Sequence, residues 1–384
     1  MGALLSISVA ARAAETFGDQ NAGGVGVKGL DREAAIRRLK RELAPKLDKK
    51  IQLRAGPAND IQTVTRRRGD MGFNLNLGKM LARLERGDKY VPVFFRVDTD
   101  AAQRALRRVQ NGLNTSPINA RPVYYKKKVR IDSEKPGGRL DIGASAVALR
   151  KRAEDDAAQT RFPLVRKAVA PTVTTERLKG INAILATYST DLNPNNKGRT
   201  TNVRLASSTI DGTVLSPDET FSLNDIVGQR TPQRGYKKAI IFKNQKLEPG
   251  YGGGVSQVTG TLFNAALEAG LPIVTYRVHS RPVDYIPIGR DATVFWGSFD
   301  MKFKNNTGAP VFISYRLKGS ELTARLFGKK TGNRVKISVS SQKVGPREIN
   351  AQLYRTIRRD GKVITKQRVG TSKYDWKEDN NPDE

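Results

Sequence analysis

Apolar residues recur along the first half of the chain in a repeated theme. A strand-like run ends in an aspartate, and a segment with helical spacing follows. Asp31-Arg32-Glu33-Ala34, Asp98-Thr99-Asp100-Ala101 and Asp141-Ile142-Gly143-Ala144 share an Asp-x-x-Ala spacing, each with Leu or Val just before the Asp. An aspartate there can accept from the free N–H groups of a first helical turn, and the preceding apolar residue can staple the turn from outside. In the segments that follow, Ile36, Leu39 and Leu43, or Leu106 and Val109, fall near one face. Arg37, Arg38 and Arg41, or Arg104, Arg107 and Arg108, fall largely elsewhere around the helix. The pattern predicts helices with one packing face and one basic face. Strand candidates lie between them at 51–54, 61–66, 91–97, 122–126 and 128–132.

Pro and Thr interrupt this theme at Ala170-Pro171-Thr172 and predict a linker. A second domain is expected to open with a helix-like stretch to about Tyr188 and to resume with a helix around Asn202 to Ile210. Beyond Asp211-Gly212 it turns strand-like. Phe299–Thr307 and Pro310–Tyr315 read as two strands joined by an Asn/Gly turn. Residues 335–339 and 349–357 read as further strands, and Asp360-Gly361 as a hairpin turn before 362–367. The stretch from Asp375 to Glu384 is polar and reads as a frayed end. The expected fold class is α+β. The expected divisions are 1–20 as a signal or anchor remnant, 21–175, 181–330, and 331–384 as a β-rich extension with a polar tail.

Composition narrows what such a chain can do. It has 384 residues, of which 38% are apolar, enough for ordinary cores in two or three domains. Cysteine is absent, which removes disulfides, thiolate zinc sites and a thiol nucleophile, and His279 is the single histidine. No metal site or cofactor is expected. No window approaches about 18 uninterrupted apolar residues, so no internal membrane span is expected.

The net charge is +31, and residues 21–180 carry much of it, with 36 basic and 17 acidic side chains. A surface this basic concentrates polyanions of any kind, including wall polymers, anionic lipid and nucleic acid. No dedicated nucleic-acid motif is present, so specific nucleic-acid binding is not expected. The start, Met1-Gly2-Ala3-Leu4-Leu5-Ser6-Ile7-Ser8-Val9-Ala10-Ala11-Arg12-Ala13-Ala14, joins a short apolar run to an Ala-x-Ala pattern at Ala11 to Ala13. It resembles a signal peptide without the basic leading region and predicts export.

The chemistry is concentrated in Gly250-Tyr251-Gly252-Gly253-Gly254-Val255-Ser256-Gln257-Val258, a glycine loop running into a helix. Val258, Leu262, Ala265 and Ala269 define its buried face, and Gly270 with Pro272 ends it. Ser256 stands at the helix N-terminus, where the dipole and exposed N–H groups favour a carboxylate or a developing oxyanion. It is either an N-cap or a nucleophile. As a nucleophile it requires a base, which only His279 can supply as an imidazole, with Asp284 or Asp291 near enough in sequence to orient it. Neither Gly-Lys-Ser/Thr nor a strand-to-helix GxGxxG occurs, so a phosphate loop is rejected.

These residues carry a resemblance to the VanW family. It rests on Phe221-Ser222-Leu223-Asn224, Val227-Gly228-Gln229-Arg230-Thr231, Arg234-Gly235-Tyr236, the Pro249–Gln257 loop, His279-Ser280 and Gly289-Arg290-Asp291-Ala292-Thr293-Val294. The preceding 150 residues are similar, more loosely, to a peptidoglycan-binding-like domain, through the Asp-capped theme and Gly137-Gly138-Arg139-Leu140-Asp141. The resemblance implies a bacterial envelope protein, exported or surface-associated, that binds peptidoglycan or a related anionic wall polymer and is accessory to wall remodelling or glycopeptide resistance. The alternative is a wall-peptide hydrolase or acyl transferase, and a second alternative is nonspecific nucleic-acid binding. The implied catalytic set is Ser256, His279 and Asp291. The implied ligand-binding residues are Gly252, Gly253, Gly254, Gln257, Arg230, Arg234, Tyr285 and Arg290. Family members usually carry Cys where this chain has Ser256, and a helix N-terminus that lowers a thiol pKa gives a hydroxyl no comparable benefit at neutral pH. That departure argues for a binding or degenerate site, or for a weakly activated serine.

Overall fold

The three aspartates expected to start helices do so. In the computed structural model, which describes residues 16–243 and 246–376, Asp31 caps α1 (Arg32–Leu43) by accepting from Ala34 N–H at 2.7 Å. Leu77–Glu85 forms α2, capped by Asn76. Asp98 caps α3 (Thr99–Val109), and Asp141 caps α4 (Ile142–Asp155) through Ala144 N–H at 3.0 Å. Leu39 and Leu43 of α1, and Leu106 and Val109 of α3, are buried, while Arg37, Arg38 and Arg41 of α1 and Arg104, Arg107 and Arg108 of α3 are exposed. The signal-like start up to residue 15, and the polar tail from residue 377, lie outside the described residues.

Contacts divide the chain into two units. The first ends at Ile118 and resumes over Lys135–Pro171; the second comprises Asn119–Glu134 and the chain from Thr172 onward. One division falls between Pro171 and Thr172, and the hairpin Arg121–Tyr125/Lys128–Asp132 belongs to the second unit. Arg121 pairs there with Asp211 at 2.8 Å, and Val129 and Ile131 pack on a cluster containing Val173, Leu178 and Phe312.

In the first unit, Lys50–Ala55 is the central strand, antiparallel to Gln62–Arg67 and parallel to Arg161–Pro163. Its inward residues Ile51 and Leu53 join Phe73, Phe95 and Phe162, with Phe73 edge-on to both other rings, and Leu106 and Leu149 from α3 and α4. A second cluster seals α1 against α2 through Leu39, Leu43, Met80 and Leu84. The expected strand at 91–97 is interrupted: Tyr90–Val91 and Phe95–Val97 join different sheets. Pro92 lies between them and has no N–H to offer a ladder.

The second unit is built on a four-stranded antiparallel sheet of Ala183–Asp191, Glu321–Gly328, Val311–Lys318 and Val214–Leu215. The helix expected up to Tyr188 is therefore a strand. Ala186 and Thr190 are buried while Thr187, Ser189 and Asp191 are exposed, a period of two that decides in favour of β structure. Next come α5 (Lys197–Ile210), the short α6 (Leu223–Val227) and α7 (Val255–Glu268). The strands read around 299–315 do not form a hairpin. Lys302–Lys304 pairs with Thr220–Ser222 and Ile273–Thr275, whereas Val311–Lys318 enters the four-stranded sheet. Asn305 makes this switch: its buried amide donates to Leu215 O, Ser216 O and Ala309 O at 2.8–3.0 Å, fixing the chain between two sheets.

Beyond residue 331, Arg334–Gly345, Glu348–Arg359 and Lys362–Asp375 form an antiparallel sheet. Asp360 and Gly361, at φ 50° and 79°, make the expected tight turn. This sheet is not an appendage. Leu353 is buried in the same cluster as Val258, Leu262 and Ala266 of α7, and buried Arg355 donates to Leu271 O at 2.5 Å.

Candidate functional site

The glycine loop turns into α7 at Gly254, whose φ of 104° a side chain would strain. A Cβ there would lie 2.9 Å from Val203 Cγ2, and one on Gly253 would lie 2.5 Å from Ile240 O. Gly254 is therefore the N-cap, without a side-chain bond, and Ser256 is the second helical residue. The N-cap reading of Ser256 is corrected by this geometry. The helix itself is buried on nearly every side, and Tyr315 O–H donates to Val258 O at 2.6 Å.

Ser256 Oγ lies 3.1 Å from Thr293 Oγ1. His279, buried and bound to Asp291, lines the same cleft. Asp291 Oδ2 accepts from His279 N–H and meets His279 Nδ1, both at 2.8 Å. Of the two aspartates weighed for this partnership, Asp291 makes it, and Asp284 is exposed. With Nδ1 committed, Nε2 is the ring nitrogen left for the cleft.

The cleft has a volume of about 490 Å³ and is lined by the glycine loop, Ser256, His279, Thr293, Arg199, Arg230 and Tyr285 on its polar side. Ile240, Tyr251, Phe295 and Trp296 line it too, each 43–52% exposed, so its rim offers apolar surface to solvent. Such a pairing of an apolar wall with a few convergent polar groups is what ligand clefts have in common.

The two cleft arginines are held differently. Arg199 Nη2 donates to Gln257 Oε1 at 2.9 Å, and its guanidinium lies 5.6 Å from the Tyr285 ring centroid. Gln257 is wholly occupied, since its Nε2 donates to Thr190 Oγ1 and Asp191 O. Its amide therefore holds Arg199 in place at the cleft wall. Arg230 Nη1 donates to Asn224 Oδ1 at 2.7 Å, while its buried Nη2 has no partner among the described residues. Burial lowers the pKa of this guanidinium. Gly252 makes room for it, because a Cβ there would lie 2.8 Å from Arg230 Cβ. Burial also raises the Tyr285 hydroxyl, which therefore stays protonated.

Two expected ligand-binding residues do not line the cleft. Arg234 is exposed and donates to Gln229 O at 2.9 Å. Arg290 binds Glu268 Oε1 at 2.6 Å and Asn264 Oδ1 at 2.7 Å, bracing the side of α7. Conversely, Arg199 and Trp296 line the cleft without any motif to mark them. Among the described residues, no cluster of three or more His, Asp or Glu could hold a metal ion, and no helix is long and apolar enough to cross a membrane.

This loop, helix and histidine fall within residues 198–327, which match the family described as "VanW like protein". Residues 198–327 are a VanW-like domain. Over 187 residues the chain is 41% identical to "Uncharacterized protein YoaR" of Bacillus subtilis, covering 48% of this chain and 61% of that one. Over 134 residues it is 30% identical to "Vancomycin B-type resistance protein VanW" of Enterococcus faecalis, covering 34% of this chain and 49% of that one. The chain thus spans about half to three fifths of the length of these relatives. No solved structure matches it. The VanW-like domain holds every cleft-lining residue, from Arg199 to Trp296.

Proposed function

We propose that the protein is an exported or surface-associated envelope component whose VanW-like domain binds a carboxylate-bearing part of peptidoglycan or a related anionic wall polymer. The observation that carries this reading is the cleft itself, where Arg230 keeps a guanidinium N–H group without a partner among the described residues, beside an apolar rim. A buried donor without a partner costs about 1–3 kcal/mol, which a carboxylate would recover once the Arg230 side chain turns that N–H group into the cleft. Ile240, Tyr251, Phe295 and Trp296 would cover the apolar part of the same ligand. The basic helix faces of the first unit add long-range attraction to an anionic wall. The name of the Enterococcus relative, which places that protein in vancomycin resistance, fits an envelope role.

The test is co-sedimentation of the chain with purified wall sacculi across a salt series, with duplex DNA as competitor. Binding that persists at about 0.3 M salt and ignores DNA is expected, because counterion-release binding collapses under that screening. Loss at modest salt, or displacement by DNA, would reduce the interaction to unspecific charge.

A second reading is acyl transfer or hydrolysis of a wall peptide, favoured by the His279–Asp291 bond. Ser256 Oγ would attack the acyl carbonyl as its proton passes to His279 Nε2, which returns the proton to the leaving amine. Water or a second amine would then release the acyl group. Muropeptide profiles altered by the wild type or by Ser256→Cys are expected on this reading, and unchanged profiles from both would remove it.

A further inference from the structure

The C-terminal sheet closes the far side of Asp291. Tyr374, in the strand Lys362–Asp375, is fully buried. Its hydroxyl donates to Asp291 Oδ1 and accepts from Gly289 N–H at 2.7 Å. One residue further on, Asp375 N–H donates to Ser280 O at 2.7 Å. A single strand therefore holds both ends of the 279–291 loop, beside the histidine and beside the carboxylate that orients it.

The consequence lies in how the carboxylate is used. Oδ2 takes the backbone and ring of His279, and Oδ1 takes Tyr374. An aspartate surrounded by donors acts as an acceptor, so the imidazole must present Nδ1–H to it and carry its lone pair on Nε2. Tyr374 can keep this up at any ordinary pH, because burial and the neighbouring Asp291 raise its hydroxyl far above the usual tyrosine value. Packing alone would be served as well by phenylalanine; the hydroxyl, with one bond donated and one accepted, is the part that reaches the site.

We infer that Tyr374 is a positioning residue that locks Asp291, and through it fixes His279 as the Nδ1–H tautomer with Nε2 facing the cleft. The C-terminal sheet is on this account a part of the VanW-like site. The inference deepens the acid–base reading of the cleft and rests on His279 being the working group there.

His279 is the only histidine in the chain, so histidine-selective ¹⁵N labelling of the full-length protein gives signals from this ring alone. At a pH where the ring is neutral, the wild type is expected to show one protonated, pyrrole-like nitrogen at Nδ1 and one pyridine-like nitrogen at Nε2. In Tyr374→Phe the Nε2–H form should rise at least about threefold as the carboxylate loses its anchor. Tyr354→Phe, on the neighbouring strand, should leave the spectrum unchanged. Identical spectra for Tyr374→Phe and wild type would overturn the inference. So would a wild-type ring protonated mainly at Nε2, a result that stands even if Tyr374→Phe fails to fold. Neither result touches sacculus binding, whereas a protein with the expected tautomer and no wall affinity would lose the ligand reading and keep the inference.

Discussion

Asp291 Oδ2 meets His279 at two points, backbone N–H and ring Nδ1, each at 2.8 Å and both shielded from solvent. A carboxylate so engaged supports the fold as well as the site. Asp291→Asn should destabilise the second unit by about 2–3 kcal/mol, the scale for hydrogen bonds to a buried charged group. Urea titration measures it, and a loss below about 0.5 kcal/mol would mean that the loop at 279–291 is held by other contacts.

Arg230 should separate binding from stability. Its guanidinium is desolvated and only partly bonded, so Arg230→Met gives up the bond to Asn224 but also removes a costly buried cation. Stability is expected to stay within about 1 kcal/mol of wild type, while affinity for sacculi at 0.3 M salt falls about tenfold. Unchanged affinity would take the carboxylate away from this arginine.

Tyr276 offers the opposite case. It stacks on Phe263 with centroids 4.5 Å apart, yet its buried hydroxyl has no partner among the described residues, and burial pushes its pKa up to about 12. Tyr276→Phe keeps the ring and removes the stranded oxygen, so a gain of about 1 kcal/mol is expected in thermal or denaturant unfolding. A clear loss would reveal a bridging water at that position.

The helix caps of the first unit predict an acid response. Lys167, together with the Ala144 N–H, holds the Asp141 carboxyl below the usual range, and the Ala101 N–H does the same for Asp98. A group depressed in the folded state contributes fully above its unfolded value, about 3.9, and loses that contribution as the pH falls further. Wild type should therefore lose stability more steeply below about pH 4 than an Asp98→Asn/Asp141→Asn chain. Parallel pH curves for the two would show that the caps do not titrate with folding.

Much of this was open to inspection in the sequence where partners are near neighbours. Asp31, Asp98 and Asp141 accept from N–H groups three residues ahead, and α7 announces itself by a glycine loop, a periodic face and a Gly-x-Pro stop. His279 and Asp291 are twelve residues apart and share one loop. Tyr374 is 83 residues from Asp291, and nothing local in a β-strand distinguishes it from an ordinary core tyrosine. Arg199 is similar: its role depends on α5 lying beside α7, a tertiary fact. The misread strand 183–191 and the false hairpin at 299–315 share a cause. Their partners, Glu321–Gly328 in one case and two separate sheets in the other, are set by long-range pairing that overrides local preference.

Leu353 packs in the cluster of α7, and Arg355 reaches Leu271 just past its end, both from beyond residue 327, where the family match ends. A fragment trimmed to that match would open an apolar wound along the central helix, strip Leu271 O of its guanidinium donor and leave Asp291 Oδ1 without its phenol. Failure of such a fragment to fold would report on the cut edge, and a piece that keeps all three contacts runs through Tyr374.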